Sequence, residues 1–565
     1  MEESRTPGQG RGLAACWQGL IASLASAILY VLAFPPFDLP ETAYVFAIPL
    51  LLQALFGRAG KGEGWVIFIG GWLAWLGLVF WLRNVTDHLS TPFAGVLGWM
   101  AALGLSGILA IFWWGWFMAA MRVLRMAASR GIVGRLGALV ALSAFWIVLE
   151  WVRGMVFSGF PWLPLGASQW QRPLLLQVAS LTGAGGVSFV LISFNLGLSQ
   201  YLHNLWVNRK GRWWQRLSPE FYLALAILFG AIGFGLNSSG AGQQGQIDGP
   251  RIAFIQPNAG AFEKWDPERR SDMLELLEDL STYAGYLDAE LILWPESPTP
   301  YAVKGHDWME NWVGALSRAT GIPMLIGNLA LERTDDPDAF RLYNAVFTVE
   351  PAGGVNTGSY YAKRHLVPFG EYVPLAEWIP FARTVVPVPY DLVPGKSAEP
   401  LVFADQERRF GKIGGLICYE DTFASLARDN VLAGADWHYV ATNNAWFGEE
   451  AAAWQHAAHS VLRAVETRRP VVRCGNSGWS GWIDEFGHIR HVMTDDEGSI
   501  YFQGVEAFTF TRNRWWAGRQ SLYVALGDWF VALCALLAGA GMLAVRFSPQ
   551  RGVSIPVGRR FSGSR

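Results

Sequence analysis

The sequence predicts a multi-pass α-helical membrane bundle of about eight spans, carrying one α/β domain outside the membrane. Three observations predict it. Of 565 residues, 52% are hydrophobic, 16% are charged and 29 are Trp, a composition too apolar for a soluble chain and rich in the amphipathic aromatics of bilayer interfaces. The apolar residues gather in residues 13–237 and again in 521–545, while 250–512 has the mixed composition of a globular domain. Lys and Arg, finally, fall in alternate connections between the apolar runs.

Runs near the bilayer-crossing length occur at Leu13–Ala33, Ala43–Phe56, Trp65–Leu82, Phe93–Ala120, Leu136–Val152, Val187–Leu202, Tyr222–Leu236 and Leu522–Val545. The first follows a short basic segment, as a cleaved leader would, but no A-x-A site precedes Phe34-Pro35-Pro36, so it reads as a span. Arg5 and Arg11, Arg58 and Lys61, Arg122 to Arg135, Arg209 to Arg216, and Arg546 to Arg565 mark the cytoplasmic segments. The alternate connections carry only Arg83, or Arg153 with Arg172, or neither Lys nor Arg at Phe34–Thr42. Both termini are thus expected in the cytoplasm and the large domain in the periplasm. The expected organisation is membrane helices over 1–237, a Gly/Ser/Gln linker at 238–249, a catalytic domain at 250–512, a last membrane helix at 513–546 and a basic tail at 547–565.

A formal net charge of -2 with no basic domain argues against nucleic acid as a partner. Four cysteines without CxxC spacing provide neither a disulfide framework nor a zinc site, and His456 with His459 lacks a third ligand, so no metal is expected. No P-loop or dinucleotide glycine pattern follows a strand.

Within 250–512, Arg251–Gln256, Glu290–Trp294, Met324–Gly327 and Lys412–Ile417 read as strands alternating with helices. Three strand ends carry reactive side chains, where α/β folds collect them. Glu296 follows Pro295 at the end of Leu291–Trp294, beside apolar neighbours that suit a general base. Lys363 precedes an aromatic loop punctuated by Pro and Gly, positioned to hold an oxyanion. Cys418 leaves a strand for a helix expected over Thr422–Leu432 and capped by Asp421 or Thr422, a setting that lowers a thiol pKa from about 8.5 and favours thiolate. Taken singly, these are a solvated carboxylate, a surface lysine and a packing thiol. Together they make a base, a nucleophile and a cation that binds the oxyanion with the Tyr419 N–H, which implies acyl transfer through a thioester. Cys474, in Val-Val-Arg-Cys, reads as packing.

The ordered motifs WPES at Trp294–Ser297, YAKRHLVPFGEYVPL at Tyr361–Leu375 and CYED at Cys418–Asp421 resemble the Glu–Lys–Cys triad of the nitrilase superfamily. The HLVPFGEYVPL loop between membrane spans, with QPN at Gln256–Asn258, TNNAWFG at Thr442–Gly448, Gln455-His456, RAVETRRPVVR at Arg463–Arg473 and GDWF at Gly527–Phe530, is similar to the apolipoprotein N-acyltransferase family. That resemblance implies a nitrilase-type αββα sandwich and an enzyme that takes an acyl chain from a phospholipid, holds it as a cysteine thioester and passes it to the α-amino group of a diacylglyceryl-cysteine on an apolipoprotein, the last step of lipoprotein maturation at the bacterial inner membrane. Carried over, Glu296 would be the base, Lys363 the oxyanion stabiliser and Cys418 the nucleophile. Glu371 and Glu420 would be supporting carboxylates, and Asn344 and Asn443 would brace the site. Trp265 and Tyr419 would line the lipid cavity, and Trp446 would sit on a mobile loop over it. No cofactor is implied.

The sequence departs from the family where Cys474–Trp482 places Trp479 and Trp482 in a usually small-residue segment, a departure that bears on the acyl chain and the acceptor and not on the thioester chemistry. Two other readings compete: a membrane-tethered amidase using the same triad on a small amide, and a scaffold with a degenerate domain. The complete triad argues against the scaffold, and the HLVPFGEYVPL loop against the hydrolase.

Overall fold

The computed structural model describes residues 7–56, 62–87, 92–242, 245–261, 263–336, 339–374, 391–404 and 407–550. Among the described residues, five helices are long and apolar enough to cross a membrane: Ala94–Ala128, Ile132–Arg153, Ala184–Val207, Pro219–Ser239 and Trp529–Phe547. A sixth candidate is the pair Glu63–Leu78 and Phe80–Thr86, bent by 58°, so the run expected as straight over Trp65–Leu82 breaks at Val79. Trp17–Leu32 and Pro40–Leu55 are shorter apolar helices, and Pro173–Thr182 is another that the apolar runs did not single out.

Small residues close the bundle. The C-terminal helix Trp529–Phe547 lies against Ile132–Arg153 so tightly that a Cβ on Gly541 would stand 2.4 Å from the Gly137 carbonyl oxygen; such crossings let packing stabilise helices that lipid alone would not drive together. The run expected as one span over Leu522–Val545 is two helices, Leu522–Leu526 and Trp529–Phe547, parted at Gly527, whose φ is 61°.

The second part is a four-layer sandwich. One sheet has the order β12-β1-β2-β3-β4-β5, with β6 also paired to β4, and the other β11-β10-β9-β8-β7. The strands are β1 (Gln246–Gln256), β2 (Leu291–Trp294), β3 (Met324–Arg333), β4 (Phe340–Glu350), β5 (Gly354–Val355), β6 (Tyr361–Ala362), β7 (Ile413–Ile417), β8 (Trp437–Thr442), β9 (Val471–Gly475), β10 (Gly481–Ile483), β11 (Ile489–Val492) and β12 (Gly504–Asn513). β1, β2 and β3 run parallel, as do β7, β8 and β9. Ile252, Phe254, Leu293, Ile413, Tyr439 and Val472 fill the space between the sheets, and helices Arg270–Gly285 and Asp307–Thr320 cover one outer face. Ala424–Leu432 and Ala452–Thr467 cover the other.

The described residues of the stretch expected as a linker lie in regular elements instead. Its start continues the helix to Gly242 and its end opens β1, with Gln246 opposite Asn513. Tertiary bonds override its flexible composition: Arg468 Nη2 donates to Ser238 Oγ at 3.1 Å.

The two parts share a core, because Ala452–Thr467 lies between the sandwich and the membrane helices with every residue buried except Trp454. Gln455 joins them with all its polar capacity used: Oε1 accepts from Trp81 Nε1 (3.0 Å) and Trp162 Nε1 (2.9 Å), and Nε2 donates to the Pro35 and Leu78 carbonyls, both at 3.0 Å.

Candidate active site

Parallel strands deliver their C-terminal ends to one edge of the sandwich, and the residues singled out in the sequence leave from those ends. β2 ends at Trp294, and Glu296 follows two residues later, buried at 8% exposure. Its place is fixed by close approach to β3, where a Cβ on Gly327 would meet the Pro295 carbonyl at 2.4 Å and Glu296 Cα at 3.0 Å. β6 pairs with β4, Ala362 opposite Ala345, and the Lys363 N–H donates to the Asn344 carbonyl at 2.8 Å. That register sets Lys363 and Asn344 side by side.

Asn344 Nδ2 donates to Glu296 Oε1 at 2.7 Å and lies 3.3 Å from Glu371 Oε1. Lys363 Nζ is 2.7 Å from Glu371 Oε1 and 3.7 Å from Glu296 Oε1. Glu371 reaches the lysine because its loop folds on itself, the Val367 N–H donating to Glu371 Oε2 at 2.8 Å. Burial alone would depress the Lys363 ammonium, but the carboxylates of Glu371 and Glu296 reverse this and hold its pKa above the ordinary value. Glu296 Oε2 is buried and has no hydrogen-bond partner among the described residues.

Cys418 directly follows β7 with φ 52°, a left-handed conformation that costs a non-glycine residue roughly 1–3 kcal/mol. It is 8% exposed. The segment Cys418–Thr422 is a 3-10 turn, and the following helix starts only at Ala424. The expected cap is absent from that helix: Asp421 turns away to Arg473 Nη1 (2.6 Å) and Ser460 Oγ (2.6 Å). The expectation of a low thiol pKa is therefore corrected. Burial, with Glu296 adding to it and Lys363 offsetting part, pushes the Cys418 thiol up to about 12, so the resting sulfur carries its proton.

The structure divides the remaining residues. Glu420, fully buried, accepts from the Ile417 N–H (2.8 Å), Tyr361 Oη (2.8 Å), the Arg364 N–H (2.7 Å) and the His365 N–H (3.0 Å). It ties β7 to the Lys363 loop. Asn443 Oδ1 accepts from the Ala445 N–H at 3.1 Å and Asn476 Nδ2 at 3.0 Å, bracing the ends of β8 and β9. Tyr419 leans toward the membrane helices, its hydroxyl donating to the Gly159 carbonyl at 3.0 Å. The exposed Met155-Val156-Phe157 segment, with Phe157 at 91%, lies just before Gly159 in the chain.

Trp446 is half-buried on the turn Asn444–Phe447, which Asn84 Nδ2 holds through the Phe447 carbonyl at 2.9 Å and the ion pair Arg83–Glu450 holds at 2.5 Å. The Trp265 backbone lies in the turn Glu263–Trp265, and its side chain is outside the described ones. Trp479 and Trp482 are packing residues: Trp479 is fully buried, and Trp482 meets Phe510 edge-on at 6.2 Å in the core between the sheets. Cys474 is likewise buried, its Sγ 3.5 Å from the Ile255 and Leu293 carbonyls.

Four residues had no role in the sequence reading. Thr442 offsets part of the rise in the Cys418 thiol pKa, and Lys264, buried, donates to the Ser297 carbonyl beside Glu296. Arg473 and His456 flank Asp421. The signal for Arg473 was present, since an arginine inside the apolar strand Val471–Gly475 demands a buried anion.

Residues 26–197 match the family described as Apolipoprotein N-acyltransferase N-terminal domain, and residues 251–504 match Carbon-nitrogen hydrolase. The chain is 30% identical over 526 residues to an apolipoprotein N-acyltransferase of Geobacter metallireducens, covering 93% of this chain and 94% of the relative. The chain belongs to the apolipoprotein N-acyltransferase family. Another family member, from Azotobacter vinelandii, is 31% identical over 86% of this chain and 89% of its own length. Among solved structures, an amidase from Nesterenkonia sp. AN1 is 18% identical with a TM-score of 0.33, covering 46% of this chain and 90% of that one. With five candidate spans and bacterial relatives, this acyltransferase-family chain is a bacterial membrane protein.

Proposed function

We propose that this family member transfers an acyl chain from a phospholipid to the α-amino group of a diacylglyceryl-modified apolipoprotein, through a thioester on Cys418 and without a cofactor. The observation that carries the mechanism is the unpartnered, buried Glu296 Oε2 beside a thiol held at about 12. A protonated thiol needs a base as it attacks, and Glu296 takes the proton while Sγ bonds to the ester carbonyl carbon. Lys363, kept charged by Glu371, and the Tyr419 N–H receive the oxyanion. The lysophospholipid alkoxide leaves with the proton from Glu296. The acceptor amine then attacks the thioester, gives its proton to Glu296, and the thiol re-forms.

Asn344 and Glu371 position the base and the cation, Glu420 and Asn443 brace the strand ends, and Tyr419, Trp265 and Trp446 are assigned to lipid binding. The membrane part is residues 1–237 with 513–546, eight spans in all, and the catalytic domain is periplasmic with both termini cytoplasmic. Lys and Arg alternation supports that orientation. So does substrate chemistry, since burying acyl chains recovers about 0.8 kcal/mol per CH2 and favours a site against the bilayer. Mass spectrometry of the purified protein after incubation with phospholipid vesicles tests the reading. A long acyl chain on Cys418, discharged by a diacylglyceryl peptide, is the expected result; an unmodified Cys418 with free fatty acid released would overturn it.

A further inference from the structure

His456 lies on the helix Ala452–Thr467, behind the nucleophile rather than beside it. Its Nε2 is 3.0 Å from the Cys418 carbonyl oxygen and 2.8 Å from Asp421 Oδ1. A carbonyl only accepts, so Nε2 carries the proton and donates. Nδ1 meets the Asn444 side-chain amide at 3.1 Å, leaving neither ring nitrogen for the thiol. The ring is fully packed, 5.5 Å from Trp162 of the membrane part. Asp421, which orients it, is itself fixed by Arg473 and Ser460, both at 2.6 Å.

The peptide that receives this bond joins Cys418 to Tyr419. A peptide group is planar, with its C=O and N–H pointing in opposite directions. A donor fixed on the Cys418 carbonyl therefore fixes the direction of the Tyr419 N–H, and it also polarises that N–H into a better donor. The N–H is free to act: it opens a 3-10 turn and makes no backbone bond among the described residues. The orientation needs fixing, because Cys418 sits at φ 52°, where a non-glycine residue does not rest unaided.

We infer that His456, held by the Asp421–Arg473 pair, is a positioning residue that aims the Tyr419 N–H at the oxyanion formed when Cys418 is acylated. The inference rests on the thioester reading, and two reactions of the same sulfur separate the failure of one from the failure of the other. Acylation passes through an oxyanion; alkylation by iodoacetamide does not. In full-length protein with phosphatidylethanolamine vesicles, His456→Ala lowers the saturating single-turnover acylation rate about a hundredfold, as loss of one oxyanion donor does, with the half-saturating lipid concentration unchanged. Alkylation of Cys418 stays within about threefold of wild type, because the thiol and its base are untouched. His456→Gln, whose amide still offers a donor, recovers at least about tenfold of the lost acylation. Where His456→Ala does not fold, His456→Asn, with its shorter reach, takes its place. Alkylation falling in step with acylation, acylation at the wild-type rate in His456→Ala, or a glutamine variant no faster than alanine would overturn the inference. A wild-type protein that never acylates Cys418 would instead overturn the thioester reading.

Discussion

Lys363 and Glu371 form the close ion pair of the site, Nζ to Oε1 at 2.7 Å, with Glu296 Oε1 at 3.7 Å from the same ammonium. The lysine is thus neutralised mainly by Glu371, and Glu296 keeps an oxygen with no hydrogen-bond partner among the described residues.

This relationship predicts the effect of Glu371→Gln. With its nearer anion gone, Lys363 is expected to close on Glu296 and occupy the base, while the buried ammonium loses a partner at a cost of about 3–5 kcal/mol. Single-turnover acylation should fall at least about tenfold and the melting temperature should drop. Unchanged acylation would separate Glu371 from the site.

Glu296→Gln and Glu420→Gln should fail differently. The amide at 296 cannot accept the thiol proton, so acylation should fall by roughly 10²–10⁴ with little change in stability. At 420 four donors converge on the carboxylate, and a glutamine NH2 turned toward N–H groups leaves buried groups unsatisfied at about 1–3 kcal/mol each. That variant should melt lower yet acylate faster than Glu296→Gln once folded. Rates and melting curves for both decide it, and equal rate losses would remove the assignment of Glu296 as base.

Cys418 should show a high-pKa thiol. Burial first, then the Glu296 charge, raises it from 9.0 to about 12, with Lys363 offsetting part. Below pH 9 the thiol is protonated whether folded or unfolded. Between 9 and 12 the unfolded chain releases a proton that the native state retains, so this group's contribution to stability is lost as pH rises through that window. Its alkylation rate should climb about tenfold per pH unit from 7 to 10 without levelling; a plateau below pH 8 would mean a stabilised thiolate. Cys418→Ala should abolish thioester formation, and Cys474→Ala, which changes only packing between the sheets, should keep most activity.

How much the sequence disclosed depended on whether a residue acts through its neighbours along the chain or across it. The ends of β2 and β7 were legible because short apolar runs and Pro295 mark them locally, and they placed Glu296 and Cys418. The thiol's protonation was not legible. It depends on burial and on the charges of Glu296 and Lys363, residues brought beside the thiol from distant parts of the chain. Trp479 and Trp482 were misleading for the same reason, since an aromatic in a short segment carries no mark of which side of a strand it packs. The 238–249 segment has a linker's composition but lies where Arg468 can bond Ser238. The break at Val79 follows from contacts below it, where Trp81 bonds Gln455 of the catalytic domain.

Orientation in the membrane is the prediction on which cellular function turns. Five segments rich in Lys and Arg, including both tails, alternate with connections nearly free of them, and such charges are retained in the cytoplasm. The catalytic domain should then face the periplasm, where exported lipoproteins and outer-leaflet phospholipids meet Cys418. Tyr286, 80% exposed and the C-cap of the outer helix Arg270–Gly285, gives a direct probe. Tyr286→Cys should react with a membrane-impermeant maleimide in intact spheroplasts where the wild-type chain does not, and alkaline phosphatase fused after Arg565 should be inactive. Protection of Tyr286→Cys until the membrane is opened would place the thiol on the side without acceptor amino termini. A cytoplasmic, membrane-bound amidase with the same Glu296, Lys363 and Cys418 would then account for the site better than lipoprotein acylation.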